Sequence, residues 1–343
     1  PGGRYPFADL GLTNGIREAT LSGKPYPIKS WFVYATNLLQ ALPSQEETIR
    51  AIQQLDLMVV VDVVPSEIAG WADVVLPESV YLERWDDPNT EAFREPFVSL
   101  RQPVVEPPGD QKPNWWIARE LAVKLGLGAY YPWTTIEEYL DARFQKAGLS
   151  LDAMKAQGVV VGPHRPINVE EGHALEFATP SGKVEFWSAQ LAAKGHDPVP
   201  RYTAHEEPPP GYFRLLFGRA PVHTFSRTQT NPILDDAMSE NEVWVNADVA
   251  RRWGLENGRE VRLVNQDGVV SAPVKVKATE RIRTDCVYIV HGFGHTARGL
   301  KRTVGKGASD AQLVTRYAVD PLMGGTGMNV NFVTFRVTEG LEA

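Results

Sequence analysis

The chain has 343 residues, 43% of them hydrophobic, which is enough to bury a sizeable core and, by length, to form two or three domains. Its formal net charge of −7, with Lys and Arg dispersed along the chain, excludes a nucleic-acid-binding face, and no apolar stretch approaches the roughly 20 residues of a membrane-spanning helix. The single cysteine, Cys286, excludes an internal disulfide, a four-thiolate iron-sulfur cluster and a cysteine-based zinc site within the chain.

The chain opens Pro1-Gly2-Gly3-Arg4, with neither an initiator methionine nor a charged and apolar leader, and this reads as a segment of a longer protein. Strand and helix signals alternate over residues 1–150, which predicts a parallel sheet covered by helices on both faces. Residues 31–35 and 57–62 read as buried strands. Between them Ser44 and Glu47 have the spacing of a capping box for a crossover helix over 45–54. A third short strand is expected at 73–76. Residues 113–126 read as a helix with Pro113 in its first turn, a face made by Trp116, Leu121 and Leu125, and Gly126 as its stop. Thr135 and Glu138 cap a following helix to about Lys146.

Residues 151–210 have weaker periodicity and end in Pro208-Pro209-Pro210, so they read as a connecting region. Beyond it, in a domain spanning 211–343, strands are expected at 213–217, 243–245, 260–264, 269–277 and 286–291. A hairpin turn is expected at Asn265-Gln266-Asp267-Gly268, and one helix over 247–253, capped by Asn246 and stopped by Gly254. Short strands at close spacing with a single helix suggest a barrel. Cys286, within one of these strands, reads as a small buried residue and not a metal ligand.

The candidate site begins at Val61-Asp62, where an acid ends a buried strand. Ligands of open α/β sheets bind at such ends, and Asp62 can accept hydrogen bonds from ribose hydroxyls or a purine edge; equally, it can cap the turn that follows. Further along stand Ala72-Asp73-Val74-Val75-Leu76-Pro77-Glu78-Ser79, then Glu83-Arg84, then Pro107-Pro108-Gly109-Asp110 leading to Pro113-Asn114-Trp115-Trp116. Downstream come Thr179-Pro180-Ser181-Gly182-Lys183-Val184-Glu185 and the run from Leu215 through Gly218-Arg219-Ala220-Pro221-Val222-His223-Thr224-Phe225-Ser226-Arg227-Thr228. Asn246-Ala247-Asp248 and Gly254-Leu255-Glu256-Asn257-Gly258 complete the series.

In this order and spacing the segments resemble the C-terminal portion of the dimethyl sulfoxide reductase family of molybdopterin oxidoreductases, over residues 30–336. The resemblance implies a Rossmann-like α/β domain followed by a mostly-β barrel of the double-psi, aspartate-decarboxylase-like kind. It implies molybdopterin guanine dinucleotide as cofactor, two per molybdenum or tungsten and shared with an upstream portion that also carries the iron-sulfur cluster and the protein ligand to the metal. Carried over residue by residue, the cofactor contacts are Asn37, Val61, Asp62, Asp73, Arg84, Asn114, Gly218, Arg219, His223, Thr224, Ser226, Thr228 and Asn331; Asn331 stands where relatives have Lys. The catalytic residues are left unassigned, and no metal ligand is expected in this chain. Arginines and hydroxyl groups suit phosphates and pterin heteroatoms, and an asparagine amide suits a base edge.

The segment Asp320-Pro321-Leu322-Met323-Gly324-Gly325 resembles the polysulfide and thiosulfate reductase branch. This implies a small sulfur substrate, an iron-sulfur electron-transfer subunit and a membrane anchor subunit. It also implies a peripheral place on the periplasmic, outer face of the cytoplasmic membrane and a part in anaerobic respiration. Tetrathionate, arsenate and nitrate reductases are the alternatives within the family, and a non-catalytic cofactor-binding module the alternative outside it. A nicotinamide-dependent dehydrogenase is disfavoured because no Gly-x-Gly-x-x-Gly run follows a predicted strand. The glycine-bearing runs Gly292-Phe293-Gly294-His295 and Gly324-Gly325-Thr326-Gly327 read as loops closing over a ligand or as barrel corners.

Overall fold

The computed structural model describes residues 4–8, 12–89, 95–164, 172 and 174–337. They divide into two compact units: Pro1–Leu76 together with Tyr202–Ala343, and Pro77–Arg201.

In the first unit, β1 (Ser30–Tyr34) and β2 (Leu57–Asp62) pair in parallel, with Trp31 opposite Met58 and Tyr34 opposite Val61; β3 (Val74–Pro77) lies on the other side of β2, at the border of the unit. Side chains alternate across a strand, so Trp31 and Val33 fall on one face, where they join Ala51, Ile52, Met58 and Val60 in a core. Phe32 and Tyr34, on the opposite face, are about half exposed. Among the described residues of the unit, the helices at Leu38–Ala41 and Gln45–Ile52 both feed this same core, and helices on both faces of the sheet are not found.

The capping box predicted at Ser44 is absent. Ser44 has φ 57° and makes no side-chain cap, and Glu47 turns to Arg17 at 3.1 Å. Arg17 is almost fully buried and needs acceptors; its guanidinium takes the carbonyls of Pro43 (2.5 Å) and Ser44 (3.3 Å), the Thr48 hydroxyl (3.0 Å) and the Glu47 carboxylate. The buried guanidinium has captured the Glu47 carboxylate that a capping box would have used, and Ser44 is left-handed instead of in the extended conformation of a cap.

In the second unit, β4 (Phe97–Ser99) pairs antiparallel with β5 (Val159–Val161). Helices Ile136–Gln145 and Leu151–Gln157 enclose Leu140, Phe144 and Met154, all fully buried. The Thr135–Glu138 capping box is formed as predicted. The helix Asn114–Lys124 begins after Pro113, which occupies the cap position instead of the first turn. It buries Ile117 and Ala122 while Trp116 and Leu125 are exposed, so the predicted face is not the packed one. Three consecutive large apolar residues, Trp115, Trp116 and Ile117, span too much of the helix circumference for periodicity to select a face.

The remaining strands are β6 (Phe213–Gly218), β7 (Glu242–Asn246), β8 (Glu260–Asn265), β9 (Val274–Thr279), β10 (Cys286–Val290), β11 (Ala318–Val319), β12 (Thr326–Gly327) and β13 (Phe332–Val337). Six of them close a barrel in the order β10-β6-β13-β8-β9-β7, with β6–β10 and β7–β9 parallel and the other neighbours antiparallel. Val261 and Leu263 alternate inward from β8 to meet Leu215, Val243, Val276 and Ile289, all inaccessible to solvent. The helix Ala247–Trp253 is capped by the Asn246 side chain and stopped by left-handed Gly254, as predicted. The strand expected over 269–277 is split, because Pro273 has no N–H and Ser271 turns its hydroxyl to the Leu263 amide (2.9 Å); β9 starts only at Val274. The closing strand β13 was not among the predicted elements. The Gly324–Gly327 run contributes β12 to a two-stranded pairing with β11.

The two units divide the chain differently from the predicted 1–150, 151–210 and 211–343. β4 and β5 pair across the expected boundary at 150, and two helices and a strand stand where a connector is expected. Residues 1–76 fold onto the barrel: Ser44 donates its amide to Val314 (2.8 Å), and Ser309 donates its hydroxyl to Gln40 (3.1 Å). Among the described residues no helix is long and apolar enough to cross a membrane.

Truncating Leu263 to Ala would leave a cavity lined from several strands. A loss of about 2–5 kcal/mol is expected, read as a lowered urea midpoint with an unchanged slope.

Candidate functional site

The ends of β1 and β2 carry the first group of candidates. Val61 is buried in β2, and its carbonyl accepts the amide of Ala35, a left-handed residue (φ 54°) that turns the chain out of β1. Asp62 is nearly buried; one carboxylate oxygen accepts the amides of Val63 (2.8 Å) and Val64 (3.4 Å), the other the Ser66 hydroxyl (2.6 Å). Asp62 thus fixes the turn after β2, with acceptor capacity left on the oxygen that takes the Ser66 hydroxyl. Asp73 is not at this end. Its carboxylate accepts the amide of Met58 (2.7 Å), at the start of β2. Four residues of extended strand, about 13 Å, separate the two acids.

The turn after Asp62 delivers Glu67, a residue that no sequence motif singles out. Its carboxylate accepts from the Asn37 amide (2.7 Å), from His295 Nδ1 (3.0 and 3.2 Å) and from the backbone N–H groups of Thr296 (2.8 Å) and Ala297 (3.0 Å). All three side chains are buried. Burial works to raise the Glu67 pKa, but the hydrogen bond and charge of His295 and the two amides outweigh it and hold the carboxyl down at about 2. Asn37 Oδ1 is buried without a partner among the described residues. The sequence signal for this pair was slight: the Gly292–His295 run is 228 positions from Glu67.

The second group lies where β6 leaves the barrel. Gly218 ends β6, and a Cβ there would press on the Tyr288 ring and hydroxyl at 3.1–3.6 Å. Arg219 is exposed, stacks on the Phe225 ring at 4.2 Å and has no acidic partner among the described residues. Its carbonyl accepts the Tyr288 hydroxyl (3.2 Å). His223 is buried and fully engaged: Nε2 donates to the Met238 carbonyl (2.8 Å), and Nδ1 accepts from the Thr228 hydroxyl (3.2 Å), which itself accepts the Thr224 amide (2.8 Å). His223 therefore shapes the loop, while the hydroxyls of the exposed Thr224 and the nearly buried Ser226 have no hydrogen-bond partner among the described residues. Gln229 is buried, with its amide N–H on the Phe225 carbonyl (2.7 Å) and its Oε1 without a partner.

The Gly292–His295 run packs against this loop. Gly292 has φ 93°, and a Cβ there would overlap the Phe225 carbonyl; at Gly294, with φ 71°, it would overlap the Ser309 backbone. His291, just before, places Nδ1 on both oxygens of Asp310 (3.1 and 2.9 Å). Burial opposes its protonation, as does the charge of Arg219, but the hydrogen bond and charge of Asp310 prevail and raise its pKa.

The remaining candidates lie elsewhere. Asn331 is fully buried: Oδ1 accepts the amides of Thr315 (3.2 Å) and Arg316 (3.0 Å) and the Gln266 side chain (3.1 Å), and Nδ2 donates to the carbonyls of Arg316 and Met328 (both 2.8 Å). It has no capacity left for a ligand and instead anchors the entry to β13. Arg84 and Asn114 belong to the second unit. There the Arg84 guanidinium is held by Glu78 (2.5 Å), Asp86 (2.8 Å) and the Ser79 carbonyl (2.7 Å), and Asn114 accepts the Trp115 amide (2.7 Å) at the start of its helix. A bridge between Glu78 and Lys112 brings their two segments together. Cys286 is buried, and burial, with help from the Asp285 charge, pushes its thiol up to about 11. Among the described residues no three His, Cys, Asp or Glu side chains cluster as a metal site requires.

Among the described residues, two buried amide oxygens seeking donors, a cation without a counter-ion and hydroxyls without partners fit a ligand that carries both ring N–H groups and phosphates. Residues 2–124 match the molybdopterin oxidoreductase family, and residues 213–332 match the molybdopterin dinucleotide-binding domain. The chain belongs to the molybdopterin oxidoreductase family. It is 33% identical over 320 residues to the molybdopterin-containing subunit PhsA of thiosulfate reductase from Salmonella typhimurium, covering 86% of this chain and 42% of that one. It is 29% identical over 346 residues to YnfE of Escherichia coli, a putative dimethyl sulfoxide reductase chain, covering 90% and 42%. Its structure matches that of acetylene hydratase from Pelobacter acetylenicus with a TM-score of 0.72 at 25% identity, over 95% of this chain and 46% of that one. The chain spans less than half the length of these relatives.

The stability supplied by Glu67 has a defined pH window. A carboxyl held at about 2 instead of its ordinary 4.5 contributes roughly 3 kcal/mol, fully present above 4.5 and lost as the pH falls through about 2. Urea midpoints should separate wild type from Glu67→Gln at pH 7 and converge toward pH 2; a gap independent of pH would contradict this account.

Proposed function

We propose that this chain clasps molybdopterin guanine dinucleotide as the C-terminal, cofactor-binding part of a bis-pterin oxidoreductase, and that the whole enzyme reduces thiosulfate or polysulfide. The observation that carries the reading is the Glu67–His295 pair, which ties the segment matching the oxidoreductase family to the segment matching the dinucleotide-binding domain within one compact unit. The mixed parallel and antiparallel pairing of the six-stranded barrel favours the double-psi type, and the parallel β1–β2 pair a Rossmann-like sheet.

When bound, the metal and its pterin dithiolenes supply two-electron transfer, whereas this chain's residues bind, orient and seal. Arg219 would give a charge-assisted hydrogen bond to a phosphate or carbonyl oxygen, with Thr224 and Ser226 adding hydroxyl contacts. Asn37 and Gln229 would accept from ring or amino N–H groups through their unpartnered oxygens. Asp62 would accept from a ribose or guanine with the lone pairs its turn leaves free. Within the second unit, described by itself, Arg84 and Asn114 are the residues proposed to contact cofactor, each already oriented by its neighbours. Electrons would come from an iron-sulfur subunit attached to a membrane anchor, and the enzyme would lie peripherally on the outer face of the cytoplasmic membrane. The likeness to thiosulfate reductase favours a sulfur substrate. The likeness to acetylene hydratase favours a second reading, a hydration that needs no electron partner.

Metal and nucleotide analysis of the parent protein tests the cofactor: about two GMP released by acid per molybdenum or tungsten is expected. Thiosulfate-dependent oxidation of a reduced viologen separates reductase from hydratase. Arg219→Ala should retain less guanine nucleotide, through loss of about 1.5–3 kcal/mol of binding, with an unchanged circular dichroism spectrum because the side chain is exposed. Full retention in that variant would remove Arg219 from the site.

A further inference from the structure

The His291–Asp310 pair has no part in holding the two halves of the first unit together and none in the contacts above. β6 and β10 are parallel neighbours, with Gly218 opposite Val290, so the residues that follow them, Arg219 and His291, emerge side by side at the same end of the barrel. The His291 amide donates to the Gly218 carbonyl (2.8 Å), which locks this juxtaposition. Asp310 comes from the short helix Asp310–Leu313; it is almost fully buried and receives the imidazole through Nδ1. Nε2 has no protein partner among the described residues, and the side chain retains 16% of its exposure.

We propose that Arg219 and His291 form a clamp for a tetrahedral oxyanion, with Asp310 holding the imidazole so that Nε2–H points at the ligand. The anion is either a phosphate of a bound nucleotide or a free sulfur oxyanion; the two share charge, size and acceptor geometry. Two adjacent cations repel each other, and an anion between them turns that repulsion into attraction for both. The charged and titratable groups around the imidazole are Asp310 on its helix, Arg219 after β6 and Tyr288 on β10; the Tyr288 phenol is itself raised by burial and by Asp310. Asp310 overcomes both burial and Arg219, so His291 carries its proton above the ordinary histidine value. Anion binding is therefore strong at low pH, and above the raised pKa it weakens by up to about tenfold per pH unit.

The clamp rests on the cofactor reading only for the identity of its ligand. Guanine content tests that reading, and anion titration tests the clamp, so the two fail separately. Histidine carbon–proton resonances of the full chain would be followed at pH 6 and pH 8 during addition of pyrophosphate, guanosine diphosphate or thiosulfate, with the His291 signal assigned by its loss in His291→Gln. The expected result is a saturable shift of that signal, tighter at pH 6, weakened in His291→Gln and Arg219→Ala. Guanosine diphosphate binding tighter than pyrophosphate identifies a nucleotide phosphate, and preference for thiosulfate identifies a free oxyanion. Asp310→Asn should move the pH dependence to lower pH, which a merely structural role for the pair would not do. No movement of the His291 signal with any of the three anions at pH 6, or affinity equal at both pH values, overturns the proposal, and the wild-type chain alone gives both readings.

Discussion

An ionised carboxylate in a protein interior is tolerable only if hydrogen bonds replace the water it has lost, and the first unit is organised around meeting that condition at Glu67. Four donors converge on it: one from Asn37 after β1, one from the His295 ring and two from the backbone that follows His295. Each is worth more than a neutral hydrogen bond, and each fixes its own segment. The end of the parallel sheet and the loop after β10 therefore cannot separate without leaving a buried charge unpaired, a cost well above that of any single contact. The position of His295 in turn sets the path of Gly294 and Gly292, and Gly292 meets Phe225 of the loop after β6. One buried charge thus positions both sets of candidate ligand contacts.

The sequence revealed those features whose causes are local. β1, β2, β6, β7, β8 and β10 follow from runs of β-branched and aromatic residues, and the Thr135–Glu138 cap and the Asn246-to-Gly254 helix from residue types at fixed offsets. What escaped depends on distant partners. Ser44 and Glu47 have the spacing of a cap, yet Arg17, nearly thirty residues upstream, claims the Glu47 carboxylate and the Ser44 backbone carbonyl. The division into two units rests on β4 pairing with β5 across some sixty residues, a pairing that leaves no local mark. β13 alternates as Phe332-Val333-Thr334-Phe335-Arg336-Val337 and was legible in principle; its place between β6 and β8 was not.

The candidate site shows the same division. Resemblance placed Gly218, Arg219, Thr224 and Ser226 on one loop, and the structure finds them there with free hydroxyls and a free cation. It could not say how polar side chains of the same kind are used. His223, Asp73 and Asn331 spend their hydrogen-bonding groups on the fold, closing a loop, a sheet edge and the start of a strand. Glu67 with His295, and His291 with Asp310, matter more to the geometry, and their spacings of 228 and 19 residues match no motif.

Asn37 shows how a structural demand becomes a chemical preference. The two ends of an amide look alike in outline, but Glu67 is ionised and can only accept, so Asn37 must present its NH2 to the carboxylate. The oxygen is then forced to the opposite side, where it is buried and unpartnered. A buried acceptor left unpaired costs about 1–3 kcal/mol, and a ligand that brings an N–H to that point recovers it. An analogue with an acceptor there would meet oxygen against oxygen. The same carboxylate that holds the fold together therefore sets the polarity of the edge that Asn37 presents: an acceptor, the complement of a donor edge such as the amino and ring N–H groups of a pterin or guanine.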